Sequence, residues 1–226
     1  DDVGAFGADT YDIDSVQDSV LEDTENGSEH SKGSKGAFVG LTGNTIKDAP
    51  SNYTFLLYLT RPQTAEIFFE DFLMACVFYG MPAAIESNKA RMLLHFRNRG
   101  YRGFVLNRFD KSMSKLSQPE RDLGGIPSSG EDVIRTHWTG VETYIDKFVG
   151  KYSQGQNTVA IREEGEMGSF PFNALINDMR NFNVKDRTKS DATVAFGFAV
   201  MAVNRRPYTE PKTATSAVSI KFATYT

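Results

Sequence analysis

Val3-Gly-Ala-Phe-Gly-Ala-Asp9 is an apolar or small-residue run that ends on a carboxylate. A short run of this kind reads as a buried strand. An acid at the end of a buried strand is costly to keep there without a partner. Two more acids stand at comparable places. Pro82-Ala-Ala-Ile-Glu86 is another apolar run closed by a carboxylate. Asp191 opens Asp191-Ala-Thr-Val-Ala-Phe-Gly-Phe-Ala-Val-Met-Ala202, which reads as an apolar helix. Three carboxylates on elements that pack together make a cage of oxygens for hard divalent cations. Each also has a plainer reading. Glu86 can be a strand-end charge facing the next helix's positive N-terminus, and Asp191 is a good N-cap.

Working outward, Ala37-Phe-Val-Gly-Leu41 and Tyr53-Thr-Phe-Leu-Leu-Tyr-Leu59 read as second and third strands, close enough to the first for an antiparallel meander. Pro62 begins a helix in which Phe68, Phe72 and Cys76 recur at helical spacing, and Gly80 stops it. That aromatic stripe suits a core. Residues 83–86 form a fourth strand. Asn88 is a candidate N-cap for a helix to about Asn98, and Gly103-Phe-Val-Leu-Asn107 is a fifth strand. Strands separated by single helices read as parallel crossovers. Residues 110–130 hold three glycines and two prolines and read as loop. Helices are expected over 131–149, 170–182 and 191–203, with a short strand or hairpin at 156–163. Residues 15–36 are polar and read as a mobile loop, and the stretch 207–226 as a Thr- and Pro-rich tail.

Hydrophobic residues make up 40% of the 226, enough for one sizeable core. No apolar run approaches the roughly 20 residues of a membrane span, and the acidic N-terminus lacks the pattern of a signal segment. The lone Cys76 excludes an intramolecular disulfide framework and a multi-cysteine zinc site. The net charge of −4 conceals an asymmetry. Residues 1–31 hold ten of the 29 acids and no Lys or Arg, so the remainder carries 19 acids against 25 basic groups, a net of +6. An acidic pocket on a basic body suits a metal-dependent enzyme acting on a polyanion. A solvated acidic tail on an ordinary domain accounts for the charge equally well. Lys89, Arg91, Arg97, Arg99, Arg102, Arg108, Lys111, Lys115 and Arg121 crowd the stretch after Glu86 and are candidates to bind nucleic-acid backbone.

Asp12 and Asp14 follow Asp9 closely and offer further oxygen ligands, or serve as turn formers. A calcium loop beginning at Asp12 is excluded, because its fifth and sixth positions are Val16 and Gln17. No phosphate-cradling Gly-x-x-x-x-Gly-Lys-Ser/Thr and no Gly-x-Ser-x-Gly elbow is present. ATP hydrolysis by this chain is therefore not expected. His30, His95 and His137 are dispersed, and the last two suit structural roles.

The plan and its acids resemble the ribonuclease H-like nuclease domain of the large terminase subunit of tailed bacteriophages. Gly7-Ala-Asp9-Thr-Tyr-Asp12-Ile-Asp14, Ala83-Ala-Ile-Glu86-Ser-Asn88-Lys-Ala-Arg91, Gly125-Ile-Pro127 and Lys189-Ser-Asp191-Ala-Thr-Val-Ala195-Phe-Gly-Phe-Ala199 carry the resemblance. It implies a five-stranded mixed sheet, an antiparallel meander plus parallel strands, flanked by helices over residues 1–206. It implies two Mg²⁺ or Mn²⁺ ions held by Asp9, Glu86 and Asp191, with Asp12 or Asp14 as an auxiliary ligand. It further implies endonucleolytic cleavage of double-stranded DNA during genome packaging, in the cytoplasm of an infected bacterium. An ATPase domain would precede this one in the full-length chain, and portal and small terminase proteins would be partners. Other ribonuclease H-like enzymes (a junction resolvase, a hybrid nuclease, a transposase) use the same triplet. A non-catalytic DNA-binding assembly module is the remaining alternative.

Overall fold

A computed structural model of the chain describes residues 3–10, 35–43, 51–88, 90–109, 111–128, 130–149, 170–183 and 190–205. Strands β1 (Gly4–Asp9), β2 (Gly36–Thr42), β3 (Thr54–Thr60) and β4 (Ala83–Ile85) form one sheet in the order β3-β2-β1-β4. β1–β2 and β2–β3 are antiparallel, whereas β1–β4 is parallel. β1 and β2 are buried almost throughout. Strands covered on both faces lose the apolar–polar alternation, which is why both read as continuous apolar runs.

One face packs on α1 (Ala65–Tyr79) and α2 (Ala90–Asn98), around Phe6, Phe38, Phe68, Phe72, Ile85 and Phe96. The other is covered by α4 (Glu131–Tyr144), α5 (Asn173–Arg180) and α6 (Asp191–Asn204), over Ala37, Val39, Leu41 and Ala5. Every α6 residue from Ala192 to Ala202 is buried, as expected of a helix that is apolar on all sides. Its small residues set how close it can come. A Cβ on Gly7 would lie 2.1 Å from the Ala195 carbonyl oxygen and 2.1 Å from the Ala199 amide nitrogen. On its other side, Gly197 makes room for the buried His137 ring, which donates through Nε2 to the Val194 carbonyl (2.8 Å). His137 is thus structural, as is His95, which bonds Glu70 at 2.9 Å and leans on Phe69.

The sheet departs from the five-strand expectation. Arg102–Phe104 is a 3-10 turn, and only a single parallel bridge joins Val105 to Ala83. The three-residue β4 divides its outer edge between two segments. The Leu106 amide donates to Ala83 at 2.8 Å. Further along, Ile126 donates to Ile85 and accepts from Ser87, both at 2.8 Å. Arg102 explains why the chain folds back here. Its guanidinium donates to the Val105 carbonyl, the Asn107 amide oxygen and the Arg121 and Asp122 carbonyls, at 2.6–3.0 Å.

The expected loop at 110–130 contains α3 (Gln118–Leu123), preceded by a 3-10 turn at Met113–Lys115. α3 opens with a capping box, in which Glu120 accepts from the Ser117 amide at 2.7 Å and the Ser117 hydroxyl accepts from the Glu120 amide. Ser117-x-x-Glu120 with Pro119 in the first turn was the sequence signal for it. α4 runs on into a π-turn at Ile145–Val149, filling the expected 131–149. Asp12, Asp14, the 15–34 stretch, the 156–163 hairpin and the 207–226 tail lie outside the described residues.

Candidate functional site

Asp9 is the last residue of β1 and is 7% exposed. Phe6 and Ala8 belong to the α1 side of the sheet, so alternation puts Asp9, like Gly7, on the α6 side. Glu86 follows β4 directly, and the register Ala8↔Ile85 sets it level with Asp9. Neighbouring strands lie about 4.8 Å apart. Ala83 and Ile85 face α1 with Phe6, whereas Ala84 packs on the α6 side, so Glu86 shares that side with Asp9. Asp191 begins α6, and its Oδ2 accepts from the Lys35 amide at 2.8 Å. Lys35 precedes β2, whose Ala37 is paired with Asp9. The three carboxylates thus stand at one edge and on one face of the sheet, with Asp9 on the strand between the other two. That edge is the carboxyl end of the parallel pair, where open α/β sheets bind ligands.

Among the described residues, no three His, Cys, Asp or Glu side chains gather closely enough to form a metal-binding group. The donors at the edge are carboxylate oxygens, which suit hard cations such as Mg²⁺ and Mn²⁺ rather than zinc.

Two features of this edge were not anticipated from the sequence. The first surrounds Glu86. Its Oε1 accepts from the Ser128 hydroxyl and from Asn88 Nδ2 (3.3 Å), while Asn88 Nδ2 also donates to Ser128 Oγ at 2.7 Å. Asn88, expected to cap the following helix, turns its Nδ2 back to Glu86 and Ser128. The second is Asp178 of α5. Its Oδ2 accepts from the Thr193 amide (2.7 Å) and hydroxyl (2.6 Å), so it caps the first turn of α6 from outside. In sequence it reads as an ordinary charge on an amphipathic helix.

Burial pushes the Asp178 carboxyl above its usual range, against the opposing pull of the Thr193 bonds. A carboxyl raised in the folded state stabilises the fold below its unfolded value of about 3.9 and loses that contribution as pH rises through the folded value. Asp178→Asn keeps an oxygen to accept from Thr193. It is expected to melt above the parent at pH 7 and level with it at pH 3, as followed by thermal denaturation across that range.

The basic stretch is largely spoken for. Arg91 pairs with Glu66 (2.7 Å), Arg99 with Glu70 (2.6 Å), and Arg108 and Lys111 with Glu120 (3.0 and 3.4 Å). Arg102, expected to face nucleic acid, is committed to backbone carbonyls of the fold. Lys89 lies outside the described residues. Arg97, Lys115 and Arg121 are exposed and make no ion pair with another described residue.

Among the described residues no helix is long and apolar enough to cross a membrane. No family model, no curated protein and no solved structure matches the chain.

Proposed function

We propose that the chain is a ribonuclease H-like endonuclease that cleaves double-stranded DNA with the help of divalent cations. The observation that carries the reading is the placement of Asp9, Glu86 and Asp191 at one edge and on one face of a β3-β2-β1-β4 sheet with a parallel β1–β4 pair. On this reading, and by the resemblance above, the enzyme cuts viral DNA during packaging in an infected bacterium. An ATPase domain of the same full-length chain, a portal and a small terminase protein would then be its partners.

On this reading Asp9, on the strand between them, would hold the cations together with Glu86 and Asp191. Asp12 or Asp14 would add a ligand from the segment that follows β1. When bound, such a pair of Mg²⁺ or Mn²⁺ ions acidifies an attacking water and neutralises charge on the leaving 3′ oxygen. The chain's own part is to hold the carboxylates. Two sit at strand ends and one in the first turn of a buried helix, where the helix dipole favours a negative charge. Fixed ligands need little reorganisation as charge develops on the phosphate.

A plasmid-cleavage assay with Mg²⁺, with Mn²⁺ and with excess chelator tests this. Nicking and linearisation that depend on the metal are expected, and cleavage that persists in chelator rejects the two-metal reading. Metal-dependent cutting confined to junctions or RNA–DNA hybrids would assign the same triplet to a resolvase or a hybrid nuclease. DNA binding with neither cleavage nor metal affinity would make the chain an assembly module.

The DNA path is expected to use Lys115 and Arg121, exposed cations on the segment leading to Ser128 that have no acidic partner among the described residues. Counterion release lowers log affinity by about 0.9 per log unit of salt for each phosphate neutralised. Reversing both residues to Glu should flatten the salt slope by about 1.8, on all sequences alike. Fluorescence anisotropy over a salt series reads it, and an unchanged slope would put the path elsewhere.

A further inference from the structure

The geometry points to Ser128 and Asn88 as positioning residues for Glu86, holding one carboxylate oxygen so that the other is presented to a divalent cation. This rests on Glu86 being a metal ligand, as proposed above. Both donors converge on Oε1: the Ser128 hydroxyl and the Asn88 amide, which are themselves joined at 2.7 Å. A carboxylate has about four lone-pair sites on its two oxygens. Among the described residues none donates to Oε2.

The backbone of Glu86 is held by the same segment. Ile126 bonds Ile85 on one side of Glu86 and Ser87 on the other, and Ser128 lies two residues further on. The segment reaches this place through Gly124 and Gly125, whose φ values of 74° and 92° suit glycine alone. A Cβ on Gly125 would press within 3.0 Å of Ser87. Arg102 ties Arg121 and Asp122 to Val105 and Asn107 behind the two glycines. The construction therefore fixes Glu86 in both main chain and side chain. A free glutamate would lose side-chain freedom on meeting a cation, which opposes binding. Here Ser128 and Asn88 have already taken much of that freedom away. Outer partners of metal ligands act in this way, and their loss costs roughly 10–100-fold in metal affinity.

Calorimetric titration of the metal-free chain with Mn²⁺, without DNA, tests the assignment. Ser128→Ala and Asn88→Ala should each bind Mn²⁺ roughly 10–100-fold more weakly, with melting temperatures close to the parent. Ser128→Thr, which keeps the hydroxyl, should restore affinity. In a Glu86→Ala background, Ser128→Ala should have no further effect, because its route runs through Glu86. A merely structural role would still weaken binding there. If Ser128→Ala fails to fold, Asn88→Ala reads the same contact from an exposed position. Parental affinity in Ser128→Ala and Asn88→Ala, with binding weakened in Glu86→Ala, overturns the positioning role and leaves the metal reading standing. Parental affinity in Glu86→Ala overturns both.

Discussion

Asp9→Ala is expected to lose metal-dependent DNA cleavage by orders of magnitude while the chain stays folded. Asp9 occupies the strand between Glu86 and Asp191, so its removal takes negative charge from the middle of a site that must hold two dications. The loss should exceed the roughly 10–100-fold that follows loss of an outer partner. Glu86→Ala and Asp191→Ala should behave alike. Without metal, Asp9→Ala should melt close to the parent. The carboxylate removed is only 7% exposed, and its loss relieves repulsion from Glu86, level with it on the neighbouring strand, against the loss of its own polar contacts. Plasmid nicking beside thermal denaturation separates the two effects. A folded Asp9→Ala chain that cleaves at the parental rate would remove Asp9 from the chemistry.

Gly7→Ala is expected to be among the most destabilising single substitutions in the chain. The new methyl would meet backbone atoms of α6, the Ala195 carbonyl oxygen and the Ala199 nitrogen, each at 2.1 Å. Neither can swing aside as a flexible side chain would. Either α6 lifts from the sheet or β1 bends, and both disturb interiors packed to crystal-like density. Overpacking of this kind costs about 3 kcal/mol or more. For a domain of this size that is a fall of about 10 °C in melting temperature. Any chain that does fold should bind Mn²⁺ poorly, because α6 carries Asp191 and Gly7 lies two residues before Asp9. A Gly7→Ala protein with parental melting would show that α6 does not press on β1 at Gly7.

Much of the α/β plan was legible in the sequence because it depends on local pattern. The runs ending at Asp9 and Glu86 are apolar because the sheet is covered on both faces, and α6 is apolar all round because it lies between the sheet and α4 and α5. The N-terminus of α6 and the ends of β1 and β4 followed from the same patterns, and with them the places of the three acids. Whatever depended on a side chain meeting a distant segment was hidden. The fifth strand failed because Arg102 gathers carbonyls from both ends of the 105–122 stretch and leaves β4's edge to be shared with Ile126. The run of cations after Glu86 looked open to DNA, but Glu66 and Glu70 reach Arg91 and Arg99 from 25 and 29 residues away. Ser128 meets Glu86 across 42 residues, and Asp178 meets Thr193 only once α5 has docked beside α6. Periodicity records which face of an element is buried and where the element ends. Which polar group from another element lies opposite is set by how the layers stack, so only the tertiary structure decided the partners of Glu86, Arg102 and Asp178.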